Sequence, residues 1–350
     1  MNHREGRMEN ASVEQPARMT AQTMRAVVTS GYGLPSRLRL EDVAVPVPGA
    51  GEVLLRVEAA AVCRGDTFLQ AGRPYLVRVS GHGVLRPRAR VPGQSFSGEV
   101  VAVGEGVRDI APGDLLFGEI PSGAFAEFAS AKAELLATKP VRLTHGEAAA
   151  LALSGITALQ GLRDAGEVRD GDSVLVNGAS GAVGTLAIQI AKAMGASVTA
   201  VCSTRHLQLV RALGADEAID YTRADFTRGE ARYDCVLDLV ANRALRDCRR
   251  IMKPGGRFVA AAIPAGANWI GPITWMAKLA MAGATSGIKH EMLMAKPNRA
   301  DLAALARMAD EGHVKPVIER RCLLVEAADA YAHVARGRGR GATIVEMGRR

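Results

Sequence analysis

Aromatic residues make up only 4% of the 350-residue chain, and lysine occurs just eight times. With so little aromatic surface and no basic patch with interleaved aromatics, nothing marks a nucleic-acid-binding face. No run of 18 apolar residues occurs, so no membrane span is expected. The cysteines (Cys63, Cys202, Cys235, Cys248, Cys322) are five in number and form no Cys-x-x-Cys pair. That pattern points to reduced thiols in a cytoplasmic protein rather than to a disulfide framework. The first 23 residues lack the apolar stretch of a signal peptide and read as a flexible extension.

What is present is ordinary for a globular chain. Apolar residues are 48% and charged residues 23%, which excludes disordered and collagen-like classes. With lysine at eight, arginine supplies 36 of the 44 cations behind the net charge of +8. These arginines are scattered, so the charge reads as solvated surface.

Residues 24 to 146 read as short strands divided by turns. Val53–Ala60, Gly98–Val103 and Ala124–Ala129 are strand candidates, and Pro48-Gly49, Pro92-Gly93 and Pro112-Gly113-Asp114 are turn signals. That rhythm fits a barrel-like β domain. Thr144-His-Gly-Glu147 is a capping box ahead of an Ala/Leu-rich helix. Beyond it strands and helices alternate: Ser173–Asn177, a helix from Gly184 to Met194, Ser197–Cys202, a helix from Leu207 to Leu213, then Ala218–Tyr221, Cys235–Val240 and Arg257–Ala262. Such alternation implies a doubly wound parallel sheet, hence an α/β fold class. A helix over Arg299–Glu311 and further strand candidates fill residues 287 to 350.

The strongest motif is Asn177-Gly-Ala-Ser-Gly-Ala-Val-Gly184, which follows an apolar strand and opens a helix. Ala179, Gly181 and Gly184 occupy the three glycine positions of a dinucleotide fingerprint. Ser180, Gly181, Ala182 and Val183 form the turn whose backbone faces the pyrophosphate, and Gly184 permits close helix–strand packing. An NAD site expects a carboxylate at the end of the next strand. Here that strand ends in Ser203-Thr204-Arg205, small hydroxyls and a guanidinium that suit a 2′-phosphate. Tyr221, after the following strand, is placed to stack or bond near the same phosphate. The expected cofactor is therefore NADP(H).

With this constellation the chain resembles the medium-chain dehydrogenase/reductase superfamily, and within it the zinc-free quinone oxidoreductase branch. The marks run from residue 24 to 346: Pro46-Val-Pro-Gly49, Gly98-Glu-Val-Val-Ala-Val-Gly104, Pro112-Gly-Asp114, Gly123-Ala-Phe-Ala-Glu127, Gly155-Ile-Thr-Ala-Leu159, Leu213-Gly-Ala-Asp216 and Lys253-Pro-Gly-Gly256. The resemblance implies a GroES-like β-barrel catalytic domain (24–146), a Rossmann domain (147–286) and a C-terminal return to the catalytic domain (287–350). It puts the active site between the domains and Thr157 near the nicotinamide.

Zinc-bearing relatives use a Cys, a His-Glu pair and a further Cys or Asp. Cys63 stands at the first position, but Gln94-Ser95 replaces the second, and one thiol falls short of the roughly three protein ligands of catalytic zinc. No metal is expected. Without that Lewis acid, hydride addition to an activated C=C is the natural chemistry, because an enone or quinone carries its own electron sink. Relatives usually carry an Asn where this chain has Cys63. Cys63 is a candidate proton donor or a small filler, Asp66 a loop anchor or water-polarising group, and Tyr75 an oxyanion donor or a packing residue. The expected substrate is a small conjugated carbonyl, a quinone or a conjugated natural-product intermediate, the last with reductive cyclisation in view. No nucleic-acid or membrane partner is expected, and a homodimer is left open. A zinc-free carbonyl reductase or alcohol dehydrogenase and a non-enzymatic NADPH-binding protein are the alternatives.

Overall fold

The computed structural model describes residues 22–264, 269, 271–337 and 339–348. The extension expected over 1–23 lies, up to residue 21, outside the described residues. Two strands open the chain as an antiparallel pair, β1 (Thr23–Thr29) and β2 (Leu38–Ala44). The first lobe continues with β3 (Glu52–Val62), α1 (Arg64–Ala71), β4 (Ser95–Val103), β5 (Leu115–Glu119), β6 (Phe128–Lys132) and β7 (Leu136–Thr138). Helix α2 (His145–Gln160) leads into the second lobe. There follow β8 (Ser173–Asn177), α3 (Ala182–Ala193), β9 (Ser197–Cys202), α4 (Leu207–Ala212), β10 (Glu217–Asp220) and β11 (Tyr233–Asp238). Next come α5 (Leu245–Arg249), β12 (Met252–Ala260), α6 (Gly271–Ser286), β13 (Lys289–Met292) and α7 (Arg299–Asp310). β14 (Ile318–Leu323), α8 (Ala327–Ala335) and β15 (Ala342–Glu346) close the chain.

The second lobe is a six-stranded parallel sheet in the order β10-β9-β8-β11-β12-β13. This is the doubly wound order, with its topological switch between β8 and β11, where ligands bind at the C-terminal strand ends. β8 and β9 fall over the ranges expected from their β-branched runs. The first lobe is a seven-stranded sheet, β14-β15-β3-β4-β5-β7 with β6 on β3. β15 pairs antiparallel with β3, so the chain's last strand completes the lobe that its early strands began. Phe96, Phe117, Phe125 and Tyr331 are fully buried, so the few aromatics go largely into cores. Among the described residues no helix is long and apolar enough to cross a membrane.

Three details differ from the sequence pattern. The strand expected over Ala124–Ala129 begins only at Phe128. Its first part is buried on both sides instead: Ala124, Phe125 and Ala126 are all buried, and the Phe125 carbonyl takes the Val27 N–H. Helices α1, α5, α6 and α8 appear where no helix was expected. β13, of sequence Lys-His-Glu-Met, lies beyond residue 286 yet pairs with β12, so the parallel sheet runs past the expected domain boundary.

Candidate functional site

The turn from β8 to α3 is built on close backbone approach. A Cβ on Gly184 would lie 2.4 Å from the Gly178 carbonyl oxygen and 2.7 Å from Ala179 Cα, so only glycine fits. Gly181 is the N-cap of α3 and brings no side chain to cap it. The first-turn N–H groups of Ala182, Val183 and Gly184 thus point out of the helix end toward any anion placed there. Behind the turn, Asn177 Nδ2 donates to Asp238 Oδ1 at 2.8 Å and to Asn242 Oδ1 at 3.0 Å, fastening β8 to β11 at the switch point. Gly341 N donates to Ser180 O at 2.8 Å, and Gly341 bridges Gly181. The approach to β15 therefore lies directly on the fingerprint loop. Sequence reading gave Asp238 and Gly341 no role, since each reaches the loop from a distant part of the chain.

Ser203, Thr204, Arg205 and Tyr221 come together at the C-terminal end of β9 and β10, where Tyr221 N donates to Cys202 O at 3.1 Å. The linear sequence shows no carboxylate there, but the fold supplies one. Asp220, paired with Cys202 across the strands, accepts the Thr204 hydroxyl. It also accepts the Thr222 hydroxyl at 2.7 Å, with Arg223 nearby. Those hydroxyls hold the Asp220 carboxyl below the usual range. Thr204 is thereby committed to Asp220. His206 is buried, and burial together with Arg205 and Arg340 holds its pKa down. Arg340 arrives from the C-terminal segment, so both lobes contribute cations here.

Thr157 lies in α2 with its hydroxyl donating to Leu153 O at 2.8 Å, so it is turned onto its own helix. Tyr75 stacks on Trp269 with ring centroids 4.4 Å apart, and Arg78 lies between the Tyr75 and Tyr32 rings, 4.9 and 4.5 Å from their centroids. This stack ties the loop over residues 73–90, which carries Arg73, Arg78, Arg86, Arg88 and Arg90, to the segment before α6. Arg90 pairs with Glu41, so three arginines of the loop, Arg73 over Tyr75 included, have structural partners.

Cys63 and Asp66 begin α1. Asp66 Oδ2 accepts the Cys63 N–H at 2.8 Å and closes the helix cap. A Cβ on Gly65 would lie 3.5 Å from Gln94 Oε1, and the Gln94 carbonyl accepts Ile120 N–H at 2.8 Å, so this first turn abuts the start of β4 and the end of β5. There Glu119 is buried, which the sequence did not signal. Burial pushes Asp66 up to about 7, against the lowering effect of the Cys63 N–H, and Glu119 adds to the rise. Burial likewise pushes Glu119 up to about 7. Among the described residues no three His, Cys, Asp or Glu side chains are arranged to hold a metal ion.

Both carboxyls hold protons in the fold at a pH where the unfolded chain has lost them. The folded state is therefore favoured at low pH, and this contribution is lost as pH rises from about 4 through about 7. Urea unfolding of the native protein should show stability falling over this window, and Glu119→Gln should lose roughly 1–3 kcal/mol less across it. Identical pH dependence in the two proteins would contradict the burial argument.

Residues 49–141 match the alcohol dehydrogenase GroES-like domain family, and residues 213–345 match the zinc-binding dehydrogenase family. The chain is 32% identical to the chloroplast envelope quinone oxidoreductase homolog of Arabidopsis thaliana, over 94% of this chain and 100% of that one. It is 36% identical to the NADPH-dependent alkenal/one oxidoreductase of the same plant, over 71% of this chain and 65% of that one. The solved structure of the quinone oxidoreductase from Coxiella burnetii superposes with a TM-score of 0.82 at 28% identity, covering 93% of this chain and 100% of that one. The chain belongs to the quinone oxidoreductase-like branch of the medium-chain dehydrogenase/reductase superfamily.

Proposed function

We propose that the chain is an NADPH-dependent, zinc-independent reductase of activated C=C bonds in conjugated carbonyls or quinones. The observation that carries this reading is the uncapped α3 N-terminus held under Gly341, with the charges of Arg205 and Arg340, opposed by Glu319, acting on buried His206 at the neighbouring strand ends. The first feature suits a pyrophosphate. The second suits a further phosphate on the adenosine ribose, since guanidinium groups pair well with phosphate oxygens. Asp220 does not oppose this, because the two threonine hydroxyls and Arg223 already engage it. The bound dinucleotide supplies hydride from its dihydronicotinamide ring. The chain's own task is to orient the conjugated carbonyl, exclude water and stabilise the charge that grows on its oxygen. Cys63, Asp66, Glu119 and Gln94 offer no His-containing set for a Lewis-acid metal. The names of the quinone and alkenal/one oxidoreductase relatives agree with such substrates.

Arg205→Ala should weaken NADPH binding by about 1.5–3 kcal/mol, the value of a lost charged hydrogen bond, and leave NADH nearly unchanged. Calorimetric titration reads this, and equal affinities for the two cofactors in the native protein would reject the NADPH preference.

Turnover should survive exhaustive chelation, and elemental analysis should find no stoichiometric zinc. Zinc lost in step with activity would overturn the metal-independent reading.

With NADPH deuterated at C4 and a conjugated carbonyl that turns over, deuterium should appear on the β-carbon. Deuterium on the carbonyl carbon with the C=C intact would establish carbonyl reduction instead. Binding of NADPH without turnover of any conjugated carbonyl would leave a binding protein.

A further inference from the structure

Five buried side-chain polar atoms among the described residues lack a hydrogen-bond partner, and three of them belong to one neighbourhood: Asp66 Oδ1, Glu119 Oε2 and Tyr331 Oη. The three residues come from different elements, α1, β5 and α8. Asp66 is 2% exposed, Glu119 8% and Tyr331 0%. Leaving such groups unpaired in a core costs stability, so a chain that retains three together is holding them for something other than packing. The groups that bear on them electrostatically are one another and the Cys63 thiol. Among the described residues no cation contributes to the shift of either carboxyl; Arg64, next to Cys63 in sequence, turns to the Phe68 ring. Cys63 is the one member that is only half-buried. It packs with Ala182, the first residue of α3, on the same small alanine cluster. Cys63 is thus the member nearest to solvent, and its Sγ donates to the Ala61 carbonyl oxygen at 3.9 Å.

We propose that Asp66, Glu119 and Tyr331 form a buried proton store, and that the Cys63 thiol passes its proton to the substrate. The proposal rests on the C=C reduction reading above. When hydride reaches the β-carbon, the π pair of the C=C moves toward the carbonyl oxygen and leaves an enolate. The α-carbon then takes the proton from the Cys63 S–H bond. The thiolate so formed recovers a proton from Asp66 or Glu119, and that carboxylate is recharged from solvent. One hydride and one proton have added across the double bond, and only the nicotinamide is oxidised. The chemistry of each member suits its place. Burial and the two carboxyls push the Cys63 thiol well up, so it is a neutral proton carrier rather than a standing nucleophile. The carboxyls, each near 7, are poised to donate and reload at neutral pH. Tyr331, pushed up by burial, stays protonated and can donate a hydrogen bond to whichever carboxyl has discharged. Asp66, Glu119 and Tyr331 act through Cys63 and are positioning residues.

The test has two arms. The first uses the cofactor-free protein and infrared titration of carboxyl C=O stretches. The native protein should keep protonated carboxyl signal at neutral pH, Glu119→Gln should lose part of it, and Tyr331→Phe should shift what remains. Absence of that signal in the native protein would overturn the store whatever the reaction proves to be. The second arm uses NADPH and a conjugated carbonyl that turns over. Cys63→Ala and Glu119→Gln should each lower kcat by about 10–100-fold with KM for NADPH unchanged, and the alkaline limb near pH 7 should move in Glu119→Gln. Tyr331→Phe, which keeps the buried ring, guards against a folding artefact and should move the same limb more weakly. An unchanged kcat in Cys63→Ala, or pH profiles that coincide in native, Glu119→Gln and Tyr331→Phe proteins, would overturn the relay. Failure of every conjugated carbonyl to react would overturn the function reading, and with it the delivery step, while the infrared arm still decides the store.

Discussion

The Ser95 hydroxyl donates to the Ala149 carbonyl at 2.6 Å and accepts the Leu153 N–H at 3.3 Å. One side chain of β4 thus reaches both ends of an i to i+4 pair in α2. The contact needs α2 to come very near the sheet, and the small residues Ala148, Ala149, Ala150 and Ala152 allow it. The same helix packs on α3 and α7 from its other side. It is buried on nearly every face, and both lobes are built against it. Its N-terminus is fixed by the Thr144–Glu147 capping box, where the Thr144 side chain accepts the Glu147 N–H and the Glu147 carboxylate accepts the Thr144 N–H. The relative position of the lobes, and so of anything between them, follows from this one helix.

A second joint lies at Gly341. Its φ of +72° and its closeness to the Val317 carbonyl oxygen, 2.2 Å from an added Cβ, leave no room for another residue. With α2 on one side and Gly341 on the other, the fingerprint loop is held between two elements that belong to the first lobe's sheet or pack on it. The unsatisfied α3 amides consequently face a site that both lobes shape. The buried carboxyls of the first lobe lie on the α1 side of the same arrangement. Leaving one oxygen of each carboxylate buried without a partner costs several kcal/mol unless the groups stay protonated. Their raised pKa values are how the fold avoids that cost.

How much of this was legible depended on whether the cause was local. The fingerprint, the capping box and the β-branched runs of β8 and β9 carry their reasons within a dozen residues, and the fold follows them. The family resemblance rested on such local marks and holds. Asp220 was not legible as a neighbour of Thr204, because 16 residues separate them and only the parallel β9–β10 register brings them together. Glu119 and Tyr331 carry no local sign at all. Each looks like an ordinary strand end or helix residue until the tertiary fold sets it beside Asp66. Ala124–Ala129 misled in part: Ala124, Phe125 and Ala126 are all buried and carry one bridge of Ala126 to Ala26, while Phe128 and Ala129 already pair with β3.

The two ends of the site also differ in electrostatic sign. At the β9–β10 end, burial with Arg205 and Arg340, opposed by Glu319, holds the His206 pKa down, and the threonine hydroxyls with Arg223 hold Asp220 down. Around α1, the neighbours among the described residues that act on Asp66 and Cys63 are acidic, and pKa values are held up. A cationic pocket stabilises a fixed anion, whereas an acidic, desolvated one stores exchangeable protons. On the proposed reading these are the two demands of conjugate reduction: a charged cofactor anchored at one end, and a proton given up at the other. The cations depend on strand ends that solvent can reach, and the raised carboxyls depend on the buried interior of the first lobe. A fold that joins a parallel sheet to a mainly antiparallel one through a single buried helix supplies both within one chain.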